Sequence, residues 1–311
     1  MIASYNPLPG KEFVRTVADR RAAGRALRKE VPRSSHAEWS PVADRPDPIS
    51  LLEEQNLTRQ AQLVPIRYGR MAASPFGFLR GAAVVMAQDL AATPVTGLGV
   101  QVCGDAHLSN FGIYATPERE QVFDVNDFID IVQKVVGVGS VGTRCYIALF
   151  RGNESSDPLF LQVKEAQASV LERHLGPSAY SSHGQRVVSG QHIMQAASDL
   201  FLGWTETDSI DFYIRQLRDM KLSVNIASLN PQRFIDYCRL CGWTLARAHA
   251  RSGDPAQISG YLGRGDRFER AIAAFAETYA DQTGQDYAAL VAAVQAGRIS
   301  VEGTSPGIDS Q

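Results

Sequence analysis

The sequence predicts an α+β fold, and three observations carry that prediction. Helical hydrophobic patterns fill the first hundred residues and the last eighty; β-branched and aromatic runs lie between them; and the two regimes are segregated rather than alternating. At 311 residues the chain is long enough for one large domain or two modest ones. Hydrophobic residues make up 44% and charged residues 21%, the mix of an ordinary globular protein. Lysine plus arginine number 31 against 33 acidic residues, a net charge of −2, so nothing in the balance argues for a nucleic-acid or membrane-surface partner. No run reaches the ~18 apolar residues of a membrane span. The opening MIASYNPLPGKEF lacks the charged-then-apolar layout of a signal peptide. The expectation is a cytoplasmic protein with no nucleic-acid and no membrane partner.

Residues 11–31 read as a basic helix stopped by Pro32, its charges in solvent, followed by a Pro- and Ser-rich connector to about Ser50. Helices are expected over 51–63 and 76–90, separated by Pro65 and by Ser74-Pro75. The side chains of Arg67, Arg70 and Arg80 read as surface groups. From Leu98 the period changes: 98–103 (LGVQVC) predicts a short buried strand, and 111–114 and 121–123 two more. Strands over 143–150 and 159–165 are joined by RGNESSDP, a hairpin connection by composition, and 212–217 is a further strand. Helices are expected over 187–197, 231–250 and 268–294, the last divided at Gly284. Cys238 and Cys241 form a lone C-x-x-C. Without a second pair, or a His-x-x-x-His, to complete four ligands, it reads as two small residues sharing one helix face.

Four constellations carry chemistry. Gly137-Val-Gly139-Ser140-Val-Gly142 is a full G-x-G-x-x-G, compatible with a plain turn, a dinucleotide fingerprint or a kinase-type phosphate cover. A dinucleotide loop must open a helix, whereas TRCYIALF follows here and reads as a strand. A glycine loop between two strands is how protein kinases cover nucleotide phosphates, because backbone without Cβ atoms can approach the oxygens. Lys164, in QVKEA, taken alone reads as a solvent-facing strand lysine. One hairpin after the glycine loop it resembles the V-A-I-K lysine that reaches the phosphates. Asp105 and Asn110, in CGDAHLSN, have the spacing of H-R-D-x-x-x-x-N, where the aspartate accepts a hydroxyl proton and the asparagine holds magnesium. His107 between them is a hydrogen-bond partner of the loop or a packed ring. Asp127-Phe128, in VFDVNDF, offers the second carboxylate as D-F-G does, with Asp124 as an additional metal ligand; such acids also form plain turns. The set implies ATP and Mg as cofactors. Asp105, His107 and Asn110 are its catalytic group, and Asn110, Asp124 and Asp127 its metal group. Gly137, Gly139, Ser140, Gly142 and Lys164 complete it as the nucleotide group.

The order is inverted relative to an ordinary kinase, since the catalytic and metal loops precede the glycine loop. At this point a family resemblance becomes specific. The chain resembles the uncharacterised bacterial family called domain of unknown function 2252, grouped with the protein-kinase-like superfamily. The strings that carry it are RMAASPFGFLRGAA (70–83), VQVCGDAHLSNFG (100–112), VFDVNDF (122–128), KVVGVGSVGTRC (134–145), PLFLQVKEAQASVLE (158–172), HGQRVV (183–188) and CGWTLARAHARSGD (241–254). GDAHLSN is also similar to the Asp-x-His-x-x-x-Asn loop of aminoglycoside and choline phosphotransferases. In those enzymes a helix like TLARAHA comes just before the loop; here it lies near the C-terminus. The resemblance implies a two-lobed, kinase-like fold with circularly permuted motifs. Residues 1–130 would carry the catalytic and metal loops, 131–220 a strand-rich nucleotide lobe, and 221–311 helices packing with 1–130.

Two departures stand out. The resemblance implies a largely helical segment between NDF and KVVGVGSVG that is absent here, and Ile129 replaces an acidic residue expected soon after NDF. Ser189 stands where a glutamate partner for Lys164 is expected, leaving Glu165 and Glu172 as substitutes. The expected function is an ATP/Mg-dependent phosphotransferase acting on an unknown small-molecule or protein substrate, or a nucleotidyl transferase if the nucleotide binds reversed. The alternatives are an inactive nucleotide-binding pseudokinase or scaffold, and a metal-dependent phosphohydrolase built on Asp105, His107, Asp124 and Asp127. The last leaves the glycine loop and Lys164 unexplained.

Overall fold

Helices and an antiparallel sheet meet along the glycine-rich segment 134–144. The computed structural model describes residues 15–113, 127–151, 158–195, 198–217 and 222–303. The helices before the sheet are α1 (Val17–Ala26), α2 (Pro48–Asn56), α3 (Val64–Ala72), α4 (Pro75–Gly81) and α5 (Ala83–Leu90). A short strand β1 (Gly112–Ile113) precedes β2 (Asp127–Gln133), β3 (Cys145–Arg151) and β4 (Pro158–Glu165). Then come α6 (Glu172–Leu175), α7 (His183–Met194), β5 (Gly203–Thr207), β6 (Ile210–Gln216) and β7 (Leu222–Ser223). The chain continues through α8 (Pro231–Ser252), α9 (Pro255–Leu262) and α10 (Arg267–Gln295). The fold is therefore mixed α+β.

Helix starts follow a repeated rule. Asp47, Ser74, Asn230 and Asp254 each cap a helix with the side chain, and each is followed by a proline in the first turn. The cap fills an orphan N–H and proline removes another, so both agree on the boundary. Pro65 obeys the same logic. Expected as a break, it lies in the first turn of α3, where its missing N–H costs nothing. The helix expected over 76–90 is split at Ala82, whose φ of −103° and ψ of 30° leave the helical region. Residues 98–103 form no strand. Gln101 N instead donates to Ser252 Oγ at 2.9 Å, at the end of α8. Gly284 does not divide α10, because Tyr279, Thr283, Asp286 and Leu290 are buried along one face of it. That burial outweighs the ~1 kcal/mol cost of an internal glycine. The strand expected over 121–123 lies outside the described residues.

The five-stranded sheet has the order β2-β3-β4-β6-β5, with every neighbouring pair antiparallel. Helix α7 packs on β5 and β6. Its N-terminus is held by Asp211 of β6, which accepts from Ser182 Oγ at 2.6 Å and His183 N at 3.0 Å. Its C-terminus is held by α8: Arg247 donates to Met194 O, and Arg251 to Ile193 O and Gln195 O. Strand β2 forms one edge. Its register shifts between Phe128 and Asp130, so Ile129 is a bulge, and Phe128, Ile131 and Val132 are 58%, 48% and 53% exposed.

The helical core gathers Leu52, Tyr68, Met71, Phe78, Val85 and Leu290, and takes Val138 from the glycine loop as part of the same cluster. Two charged groups lie inside this region, against the expectation that the arginines are superficial. Arg45 bridges Asp89 and Asp286, at 2.7 Å and 2.6 Å, and Tyr279 Oη donates to Asp89 at 2.8 Å. Burial, and then that hydrogen bond, push the Tyr279 phenol well above its ordinary range. Arg67 has 0% exposure and, among the described residues, no carboxylate partner. It donates to Asn56 Oδ1 at 2.8 Å, Gln55 Oε1 at 2.8 Å and Gly81 O at 2.7 Å. Burial lowers its pKa to about 9, so it stays charged at neutral pH.

Arg67→Met fills similar space but strands one buried and two part-buried acceptors. It is expected to destabilise the fold by about 3 kcal/mol or more, read as a fall in urea midpoint at unchanged m-value. A midpoint equal to that of the wild type would show the arginine to be dispensable.

Candidate functional site

The loop bearing Asp105 is anchored from α8. Gln101 N meets Ser252, and Tyr237 Oη donates to Leu108 O at 2.7 Å. Its far end enters β1, which pairs with β7 through Gly112–Ser223 and Ile113–Leu222. Between these anchors the backbone at Asp105 is left-handed, with φ of 50°. Non-glycine residues adopt this conformation rarely, and strain of that kind clusters at working sites. Asn110 compensates it locally: its Nδ2 donates to Asp105 O at 2.7 Å and to Oδ2 at 3.0 Å. The predicted pair thus meets directly, because a turn of 3-10 helix over Leu108–Asn110 brings the amide back.

Asp105 is 44% exposed at its side chain and faces two cationic or potentially cationic groups. His107 Nε2 lies 3.6 Å from Oδ1, and Arg80 Nε lies 3.9 Å from Oδ2. Phe76 packs edge-on against the His107 ring at 5.2 Å and beneath the Arg80 guanidinium at 5.8 Å. Burial holds the His107 imidazole below its ordinary range; Asp105 opposes that shift and Arg80 adds to it.

The glycine loop sits on the other side of Arg80. A Cβ on Gly139 would stand 2.7 Å from Arg80 O, a backbone atom, so only glycine fits there. Gly137 and Gly142 have φ of 69° and 91°, which explains the outer two glycines of the motif. Val138 and Val141 are buried, and the loop's carbonyls are clasped: Arg70 donates to Gly137 O, Arg59 to Val141 O, and Gln60 N to Gly142 O. Among the described residues the amides of Val138, Gly139 and Ser140 donate no hydrogen bond, while Ser140 Oγ donates to Val136 O at 2.8 Å. Held through its carbonyls with amides to spare, the loop resembles a backbone anion nest. The sequence reading missed the arginines of this clasp. Their signal was the dense spacing of Arg59, Arg67, Arg70 and Arg80 just ahead of the Asp105 motif.

Lys164 lies on β4 between Cys145 of β3 and Tyr213 of β6, with its Nζ 6.0 Å from the Tyr213 ring centre. Among the described residues no carboxylate pairs with it. Glu165 is engaged by Arg144 N, Arg144 Nη1 and Gln167 Nε2. Glu172 accepts from Ser169 N and lies 3.9 Å from Arg186. Helix α7 carries Ser189 and no acidic residue. Asp127 is the first residue of β2, and Asp124 lies outside the described residues. Cys238 and Cys241 are both free thiols on α8, Cys241 buried. A concavity of about 450 Å³ lies elsewhere, bounded by Trp39, Arg45 and Asp89, and its inner carboxylate is already paired with Arg45. Among the described residues no helix is long and apolar enough to cross a membrane.

The fold and the site define an α+β protein in which a glycine loop and an Asp–Asn loop are joined by one arginine. A family model described as an uncharacterized protein conserved in bacteria, DUF2252, matches residues 59–128 and 129–293, about three-quarters of the chain. The chain belongs to that family. The two matched blocks abut between Phe128 and Ile129, at the bulge of β2, where the helical segment was expected to be missing. No curated protein and no solved structure matches.

The environment of His107 makes a pH prediction. Its ring resonances in an NMR titration should move with a midpoint below the ordinary value of about 6.5. Asp105→Asn removes the opposing carboxylate and should lower the midpoint further; Arg80→Gln should raise it. Shifts of opposite sign would reject the described arrangement.

Proposed function

We propose that this protein is a kinase-like, ATP- and magnesium-dependent phosphotransferase whose motifs are circularly permuted. The observation that carries the reading is the connectivity of the sheet. A glycine loop links its edge strand β2 to β3, a lysine stands on the next strand β4, and a helix, α7, follows before the sheet is completed. Protein kinases present their glycine loop, lysine and αC helix in this sequence. A dinucleotide fold is disfavoured because a strand, not a helix, follows the loop. Permutation is supported by the contact of Ser252 with Gln101: the end of α8 abuts the start of the Asp105 loop although 151 residues separate them.

The residues fit an ATP–magnesium ligand. Among the described residues Lys164 has no counter-ion and the amides of Val138, Gly139 and Ser140 have no acceptor, so both suit phosphate oxygens. Bound magnesium would neutralise charge developing on the transferred group. Asn110, Asp124 and Asp127 are the residues that would hold it. Asp105, exposed and fixed by Asn110, would accept the proton of the acceptor hydroxyl. Residues 131–220 would then form most of the nucleotide lobe, and the remaining helices the other. The acceptor is a hydroxyl-bearing small molecule or protein.

One observation favours a second reading, a nucleotide-binding pseudokinase. In kinases the lysine is set by a glutamate of αC, whereas α7 offers Ser189.

Both readings predict that saturating ATP with magnesium raises the melting temperature, since ligand at a hundred times its dissociation constant adds about 2.7 kcal/mol. Lys164→Ala should abolish the rise. Absence of any shift at millimolar ATP in folded wild-type protein would overturn both. Asp105→Asn should retain the shift while lowering transfer by ~100-fold or more. Mass spectrometry after incubation with ATP distinguishes phosphate from AMP on the product. Binding without any transfer selects the pseudokinase, and transfer indifferent to Asp105 rejects that residue as the base.

A further inference from the structure

We propose that Arg80 and His107, backed by Phe76, form an oxyanion subsite beside Asp105 that holds the phosphoryl group being transferred. Its assignment to that group rests on the phosphotransferase reading; the subsite itself rests on unmet hydrogen-bonding capacity.

The neighbouring arginines show what is unusual. Arg59 and Arg70 each donate to a glycine-loop carbonyl, and Arg67 donates to three oxygens. Arg80 comes from the same cluster, yet among the described residues its guanidinium donates no hydrogen bond. Its Nε is shielded from solvent without a partner, as are those of Arg59, Arg67 and Arg70, but its terminal nitrogens donate none of the bonds that theirs do, and its approach to Asp105 is 3.9 Å, beyond hydrogen-bond length. His107 repeats the pattern: its side chain is 14% exposed, and both ring nitrogens are shielded and unpartnered. Orphaned buried donors are costly, because they lose their hydrogen bonds to water without gaining new ones. Two unmet donors in one neighbourhood, the Nε–H of Arg80 and the single N–H of a neutral His107 ring, therefore call for an acceptor beside Asp105. Asp105 does not supply it, because among the described residues the hydrogen-bond donor its carboxylate engages is Asn110.

Geometry narrows the chemistry to a tetrahedral oxyanion. A guanidinium offers a planar fork that matches two oxygens of a phosphate, and a histidine N–H adds a third contact from another direction. Phe76 restricts both groups, meeting the imidazole edge-on and the guanidinium face-on. Arg80 also fixes the subsite relative to the nucleotide loop, since its own carbonyl lies against Gly139. One residue thereby sets the distance between the loop that would cover ATP and the carboxylate that would activate the acceptor. A point-like ammonium could keep the charge but not the fork, so lysine is a partial substitute.

The test uses the full chain and sodium sulfate as probe, because sulfate keeps its charge near neutral pH. Binding is read by calorimetry and by thermal shift against sodium chloride at matched ionic strength. Wild-type protein should bind sulfate, Arg80→Gln should weaken it at least tenfold, Arg80→Lys should fall between, and Arg239→Gln, on the exposed face of α8, should match wild type. Phe76→Leu, which leaves the guanidinium in place, provides a second folded variant and should weaken binding several-fold. Failure of wild type to bind sulfate, or unchanged affinity in folded Arg80→Gln, overturns the subsite. Sulfate binding that depends on Arg80, without any ATP-dependent shift, keeps the subsite and removes the nucleotide reading. With both intact, Arg80→Gln should lower kcat more than it raises KM for ATP; a change confined to KM would overturn the assignment to the transferred group.

Discussion

A charged side chain that has no counter-charge among the described residues sits in the helical part. Arg67 reaches the C-terminal turn of α2 and the last carbonyl of α4, three neutral oxygens in all. Transfer of an unpaired charge into an apolar interior is costly, so the three acceptors around its terminal nitrogens must be held in register. That constraint organises what lies above it. Arg59 follows α2 and Arg70 lies one turn further along α3, and these two clasp the glycine loop. The split between α4 and α5 falls at the residue after Gly81, whose carbonyl Arg67 takes. Arg80, immediately before that carbonyl, is thereby aimed at Asp105.

The glycine loop serves two masters. Its three glycines have conformational or steric explanations, and Val138 and Val141 root it in the hydrophobic core. A loop so rooted is a rigid wall rather than a flap. Rigid placement suits preorganised binding of a phosphate by backbone amides, which gain nothing from mobility. It also means that sheet and helices share this element, beside the contacts that α7 makes with β5, β6 and α8.

Much of this was legible in the chain. The Ser74-Pro75 break falls at the start of α4, the helix expected over 231–250 is α8, and the β-branched and aromatic content of 143–150 and the run 159–165 mark β3 and β4 within two residues. The Asp105–Asn110 pairing follows from its spacing, since a single tight turn closes it. What escaped was set by long-range contact. Residues 98–103 have a strand's composition but spend their backbone on α8. Strand β2 carries no alternation of its own, because Ile129 inserts an extra residue at the point where the two matched family blocks meet. Arg67 looks like any surface arginine until its neighbours' side chains converge on it; local sequence contains no sign of that.

The edge at β2 has a consequence for the protein in solution. Phe128, Ile131 and Val132 lie on a strand whose backbone, among the described residues, pairs with β3 alone. Such a strand is a template on which another chain can add itself, and proteins blunt it with a bulge or an inward or flanking charge. Here both devices are compressed into two adjacent positions, Ile129 as the bulge and Asp130 as the charge, so colloidal stability hangs on a gatekeeper of two residues.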